Sequence, residues 1–356
     1  MTIISPDDDG LDKLCARLAE TTADVDLNDA WPAEQLRLCG AAGVYEWFLP
    51  KAWGGQQWSD LDLMRGYLRL SAACLATTFV ITQLTGACRR IAADGSDKLR
   101  DRLLPDLLTG KTFTTLGISH LTTSHRHQGR PALRATATDG GFVLDGFSPW
   151  VTGGPHAQTI VTGATLDDGR QILLALPTEL PGVTAGEPVE MVALTASHTG
   201  PVHCESVEVS SEWLLAGPSE NVIAGATGAS TGGLQTSTLA LGVASAAIEY
   251  LEQEAERRPD LLVPLGGLRA DLQEVKTDLL QTAAGEEVCT NEQLRTRANS
   301  LVLRSTQAAL AAAKGAGYVN GHPAGRWCRE ALFFLVWSCP QPVLAANLCE
   351  LAGLTD

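Results

Sequence analysis

"GAGYVNGHPAGRWCREALFFLVWSCPQP", residues 315–342, is the stretch on which the fold turns. Gly315 and Gly317 flank one alanine, Arg326 and Arg329 follow a tyrosine, and the segment ends in Trp337-Ser338-Cys339-Pro340. Glycine lets a chain pass close to a ligand or take positive φ. Paired arginines next to it suggest a backbone shaped around an anion. A plainer reading makes Gly315 the stop signal of the preceding helix "AALAAAKG". The "WSCP" end contains no obvious acid or base. It also reads as the end of a buried helix, stopped by a proline.

Outward from this stretch, the helical period extends upstream. "LQTSTLALGVASAAIEYLEQEAERR" (234–258), "LRADLQEVKTDLLQTAAGEE" (268–287), "NEQLRTRANSLVLRSTQAALAAAKG" (291–315) and "RWCREALFFLVWS" (326–338) make four helical segments. Apolar residues on one face and many small residues favour a packed bundle. Before them the period changes to two, in "ALRATATDGGFVLDGFSPWVTGG" (132–154), "QTIVTGATLDDGRQILLALP" (158–177) and "VHCESVEVSSEWLL" (202–215). Thr, Val and Ile alternate there between "DGG", "DG" and "DDG" turns, and "TATDGGFVLDG" reads as a hairpin. Earlier still, "LDLMRGYLRLSAACLATTFVITQL" (61–84) and the Ser-Asp-capped "SDKLRDRLLPDLLTG" (96–110) are helical. The expected fold class is α+β, mostly α. An N-terminal helical domain (1–112) precedes a middle antiparallel β domain (113–217) and a C-terminal four-helix bundle (218–356).

The chain has 356 residues, 45% hydrophobic and 19% charged, with a net charge of −15. That length suffices for several domains and a large core. The acidic balance argues against nucleic acid or an anionic membrane as partner. No apolar run is long enough to span a bilayer. The N-terminus "MTIISPDDDGLDKL" lacks the apolar core of a secretory signal. Nine cysteines with no Cys-x-x-Cys pair suit a reducing, cytoplasmic setting. His125 and His127 lack a third ligand at metal-site spacing, so no metal is expected.

Six segments in order resemble the acyl-CoA dehydrogenase family. "LPKAWGGQQWSDLDL" (49–63) resembles its Pro-x-x-(Tyr/Phe)-Gly-Gly segment. "GSDKLRDRLLPDLLTGK" resembles the lead into its β domain. "LDGFSPWVTGG" (144–154) resembles Leu-Asn-Gly-x-Lys-x-Trp-Ile-Thr-Asn. "VEVSSEWLLAG" (207–217) and "RPDLLVP" (258–264) resemble the β-domain exit and Arg-x-x-Phe-Gly-x-Pro. The opening stretch resembles Gly-x-Gly-Tyr-x-x-x-x-Pro-x-x-Arg-x-x-Arg-Asp-Ala. The resemblance covers nearly the whole chain. It implies a flavoprotein with FAD between β domain and bundle, completed by a neighbouring subunit in a homodimer or homotetramer. It further implies an acyl-CoA-like small-molecule substrate and an electron-transfer flavoprotein as partner.

By the same resemblance, Trp150 and Thr152 lie against the flavin ring, and Ser119 and Thr122 belong to the flavin loop. That loop, "GISHLTTSHRHQG", departs from the family's Thr-Glu-Pro pattern through His120 and Leu121. Arg258, Gly315 and Gly317 are implied to serve the pyrophosphate and adenosine of the partner subunit's FAD. The family's catalytic glutamate, nine residues after the second arginine, falls here on Ser338. Its alternative position, on the first bundle helix, falls near Ser237. Neither is acidic. A free serine hydroxyl is too weak a base alone; Cys339 is the better candidate, since a thiol has an ordinary pKa of about 8.5 that a local positive charge can lower. The implied function is FAD-dependent α,β-dehydrogenation of an acyl thioester with an altered or displaced base. Two alternatives share the fold: a flavin monooxygenase, which needs no α-proton base, and a catalytically silent FAD- or thioester-binding subunit.

Overall fold

The computed structural model describes residues 2–122, 131–225 and 233–354. The His125–His127 pair therefore lies outside the described residues, as does the side chain of Thr122.

Five helices open the chain: α1 (Asp9–Leu27), α2 (Ala33–Ala41), α3 (Asp60–Ala73), α4 (Leu75–Asp94) and α5 (Asp97–Leu108). Their starts are written in the sequence. Asp8, Ser59 and Ser96 each accept a hydrogen bond from a backbone N–H of the first turn, at α1, α3 and α5. Leu11, Leu14 and Leu18 form the buried stripe of α1. Nearly every turn of α4 is buried, so this helix forms the spine of the N-terminal layer.

The sheet contains β1 (Thr114–Gly117), β2 (Leu133–Thr138), β3 (Gly141–Val151), β4 (Thr159–Leu166), β5 (Gln171–Pro177), β6 (Val183–Ala185), β7 (Gly200–Ser210) and β8 (Leu214–Ser219). Their order is β6-β7-β3-β2-β4-β5-β8, with β1 also on β4. The β2–β3 hairpin forms as expected, with Thr138 opposite Gly141 across Asp139-Gly140. The expectation of an antiparallel domain needs one correction: β1–β4 and β2–β4 are parallel, so the sheet is mixed. β1 arrives from α5 and β4 arrives only after the β2–β3 hairpin. Both pairs are thus joined by crossovers rather than tight turns. β4 receives β1 along Thr159–Thr162 and β2 along Thr165–Leu166.

Two four-residue helices, α6 (Ser119–Thr122) and α7 (Val222–Gly225), flank the sheet. The C-terminal layer follows: α8 (Leu234–Ala255), α9 (Leu262–Ala283), α10 (Asn291–Gly317), α11 (Pro323–Leu332) and α12 (Gln341–Leu351). α10 starts on a capping box between Thr290 and Gln293 and breaks its helical course at Lys314. The small residues of α8 have a definite use. A Cβ at Gly242 would sit 2.7 Å from the Leu68 carbonyl oxygen. The Ser71 hydroxyl donates to the Leu239 carbonyl at 2.7 Å. α3 and α8 therefore meet backbone to backbone, fixing the N-terminal layer on the bundle.

"RWCREALFFLVWS" does not form one helix. α11 ends at Leu332, a 3-10 turn covers Phe333–Leu335, and α12 begins after Pro340. Side chains of α10 divert the carbonyls that a longer helix would need. Arg295 donates to the carbonyls of Phe334 (3.1 Å) and Trp337 (3.0 Å), and Asn299 donates to Phe334 (3.0 Å).

Candidate active site

A cavity of about 720 Å3 opens where three layers meet: α3 and α4, the sheet, and the start of α8 with the turn after α11. Its sheet-side wall carries Ser119, Trp150 and Thr152, and Ser338 lines it from the turn after α11. Residues read from sequence as flavin-facing and residues read as the base position thus share one chamber. Trp150 is 47% exposed, a large indole offered to the cavity rather than to the core.

Thr152 is buried and sits 3.0 Å from the Thr199 hydroxyl, which lies 2.8 Å from Ser197. A hydroxyl has one donor and two acceptor sites. Three hydroxyls joined by two hydrogen bonds leave one proton to donate elsewhere. When Ser197 donates to Thr199 and Thr199 to Thr152, that proton is presented by Thr152 to the cavity. An aromatic ring face from Trp150 beside a hydroxyl donor from Thr152 fits a flat heteroaromatic group with acceptor nitrogens. His120 is buried beside this wall, its Nε2 2.7 Å from the Gly163 carbonyl.

The turn bearing Ser338 is packed by aromatic rings. Phe333 and Trp337 stack at 5.0 Å, and Phe79 of α4 meets both edge-on at 4.9 and 5.1 Å. Ser338 itself takes a positive φ of 44°. Cys339 does not line the chamber. Burial raises its thiol pKa, and the opposing charge of Arg295 does not overcome that effect. Ser237 is buried on α8, away from the lining. Among the described residues the one carboxylate in the lining is Asp60, exposed in the first turn of α3.

Arg258, Gly315 and Gly317 gather elsewhere. Arg258 donates to the Ala312 carbonyl at 2.7 Å and lies 3.4 Å from Asp260. Asn291, at the start of α10, lines the cavity. Ala312 lies about 30 Å further along the helix axis. Gly315 has open space around it, whereas Gly317 meets Gly325 of α11, whose added Cβ would sit 2.6 Å from the Gly317 carbonyl oxygen. The two arginines of the opening stretch are engaged internally. Arg329 pairs with Asp26 at 2.6 Å, and Arg326 faces Glu330 at 3.7 Å. Burial lifts the Glu330 pKa to about 7 against the pull of Arg326.

The sequence profile "Acyl-CoA dehydrogenase, N-terminal domain" matches residues 12–111. Residues 12–111 thus carry the N-terminal domain of the acyl-CoA dehydrogenase family. A probable acyl-CoA dehydrogenase, YngJ, of Bacillus subtilis (strain 168) is 22% identical over 253 residues, 69% of this chain. The match spans 66% of that relative's length. Among solved structures, butyryl-CoA dehydrogenase from Megasphaera elsdenii superposes with a TM-score of 0.83 at 18% identity, covering 97% of both chains. Glutaryl-CoA dehydrogenase from Mycobacterium smegmatis, solved with FADH2, superposes at 0.79 and 18% identity, covering 97% of this chain and 95% of that one. At such identities the superpositions establish the acyl-CoA dehydrogenase fold.

Sequence reasoning missed the other end of the chamber. Tyr67 of α3 and Gln83, Arg89 and Arg90 of α4 line it, with Gln235 of α8. The available signal was "ACRRIAAD", two adjacent charges in an otherwise apolar helix.

Proposed function

We propose that this chain is an FAD-dependent oxidoreductase that oxidises an acyl thioester by α,β-dehydrogenation. The observation that carries the reading is the shared chamber: Trp150 and Thr152 face the same space as Ser338. Bound there, FAD supplies the hydride acceptor. Trp150 offers a ring face and Thr152 a hydroxyl donor to hold the flavin edge, with Ser119 on the same wall; Thr122 joins them through the family resemblance. The apolar walls from Phe79, Phe333 and Trp337 exclude water from the acyl chain. Arg258, Gly315 and Gly317 form a second cluster too far from this chamber to serve it within one subunit. That separation supports a homo-oligomer in which the cluster serves a partner's cofactor. An electron-transfer flavoprotein as acceptor is proposed from the family resemblance alone.

The base is altered or displaced. Ser338 occupies the expected position and is not ionisable at neutral pH, while the half-buried Cys339 thiol is held protonated. This favours a second reading, a silent FAD- or thioester-binding subunit. Anaerobic titration of the purified protein with a panel of acyl-CoAs separates the two. Bleaching of the flavin band by a thioester supports dehydrogenation. A flavin band that no thioester bleaches, followed by bleaching once Ser338→Glu is introduced, supports the silent subunit on an intact scaffold. A purified protein without flavin, unable to take up added FAD, refutes both.

A further inference from the structure

The end of the chamber remote from Ser338 carries a charge that this chemistry does not use. One face of α4 lines the cavity with Phe79, Thr82, Gly86 and Arg89, a spacing that follows the helix repeat. Phe79 touches Trp337, next to Ser338. Arg89 begins ten residues further along α4, about 15 Å at the helical rise. The two arginines at that end differ. Arg90 is buried, and the neighbouring carboxylate of Asp94 offsets its charge. Arg89 is half-buried and makes no ion pair among the described residues. The segments 123–130 and 226–232 contain no Asp or Glu that might pair with it. Asp60, the acidic residue of the lining, makes no ion pair with it either.

Polar groups converge on the same place. Thr85 donates its hydroxyl proton to the Ile81 carbonyl at 2.8 Å, so at 2.9 Å it accepts from Tyr67. The Tyr67 phenol is buried, its pKa pushed up by that burial, with Thr85, Arg89 and Gln235 acting against the shift. It stays a neutral hydrogen-bonding group beside the guanidinium. A half-buried guanidinium without a counter-ion is costly to maintain. A planar fork of donors matches a carboxylate better than any other common group. In a chain of net charge −15, a carboxylate for Arg89 would have been easy to supply from the protein itself.

We propose that Arg89 is a specificity-determining residue that receives the distal carboxylate of a dicarboxylic acyl thioester, with Tyr67 and Gln235 flanking it. This rests on the acyl-thioester reading above. Calorimetric titration of the whole protein with matched pairs, glutaryl-CoA against pentanoyl-CoA and adipyl-CoA against hexanoyl-CoA, tests it without reading any flavin chemistry. At least one dicarboxylic thioester is expected to bind about ten- to hundredfold tighter than its straight-chain match, the scale of a charged hydrogen-bonded pair. Arg89→Met is expected to reverse that preference and Arg89→Lys to keep part of it, with straight-chain binding reporting that each variant is folded. Equal binding of every pair by the unaltered protein overturns the proposal. So does an equal loss of both partners in Arg89→Met, which recognition of a CoA phosphate would give. If no thioester binds but free glutarate binds in an Arg89-dependent way, the thioester reading fails and the carboxylate site stands. If nothing binds, both fall.

Discussion

Arg295 and Arg89 are both cations withdrawn from bulk water, and neither has a carboxylate partner among the described residues. Arg295 lies against the turn that carries Ser338 and Arg89 at the far end of the chamber. Burial pulls the Arg295 pKa down to about 10, yet two backbone carbonyls accept from it. Its charge is spent on shaping the turn that carries Ser338. Arg89 has no such acceptor among the described residues and lines the chamber. The difference separates a structural arginine from a receptive one: what matters is where the N–H groups point, since burial alone does not distinguish them.

The contrast can be broken by measurement. Arg295→Met leaves the Trp337 carbonyl without its donor and the Phe334 carbonyl with Asn299 alone, and is expected to cost about 2–4 kcal/mol in urea unfolding. Gly242→Val forces α3 and α8 apart and is expected to cost about 1–3 kcal/mol while also weakening ligand binding. Arg89→Met should change stability by less than about 1 kcal/mol in either direction, its effect falling on ligand choice. A loss as large as that of Arg295→Met would place both arginines in the same class and end the comparison.

The smallest effect concerns a histidine pair outside the chamber. His198 Nε2 lies 3.0 Å from the Asp29 carbonyl, which only accepts, so His198 Nδ1 is left to accept from His156 Nε2 at 2.8 Å. His156 also stacks on Trp31 at 4.2 Å, tying the α1–α2 connection to the sheet. Burial, then the neighbouring His198, lowers the His156 pKa. Below an ordinary value of about 6.5 the unfolded chain takes up this proton before the folded one does, so stability falls as pH falls through that region. A modest drop in melting temperature on acidification is expected, and it should shrink in His156→Phe, which keeps the stack on Trp31.

Much of the architecture was legible. Ser96 marked a helix start, the Asp139-Gly140 turn marked a hairpin, and six ordered motifs marked the family resemblance. The parallel pairings of β4 were hidden, because strand direction follows from crossovers rather than local pattern. The break after Leu332 was hidden too, since Arg295 and Asn299 cause it from a helix more than thirty positions upstream. Ser338 and Thr152 were legible only through the family resemblance, and both line the chamber. Arg89 was not, because only the packing of α4 against α3 and α8 decides which of its faces meets the cavity.

The contact at Gly242 has a consequence for how such a site can change. Where two helices already touch through their main chains, the gap between them cannot be narrowed, and little thermal breathing is available to widen it. The chamber behaves like a gauge block: its bore is fixed by α3 and α8, and its depth is set by whichever side chains α4 projects into it. New substrates would then be accommodated by exchanging residues along α4, one helical turn at a time, leaving the frame untouched.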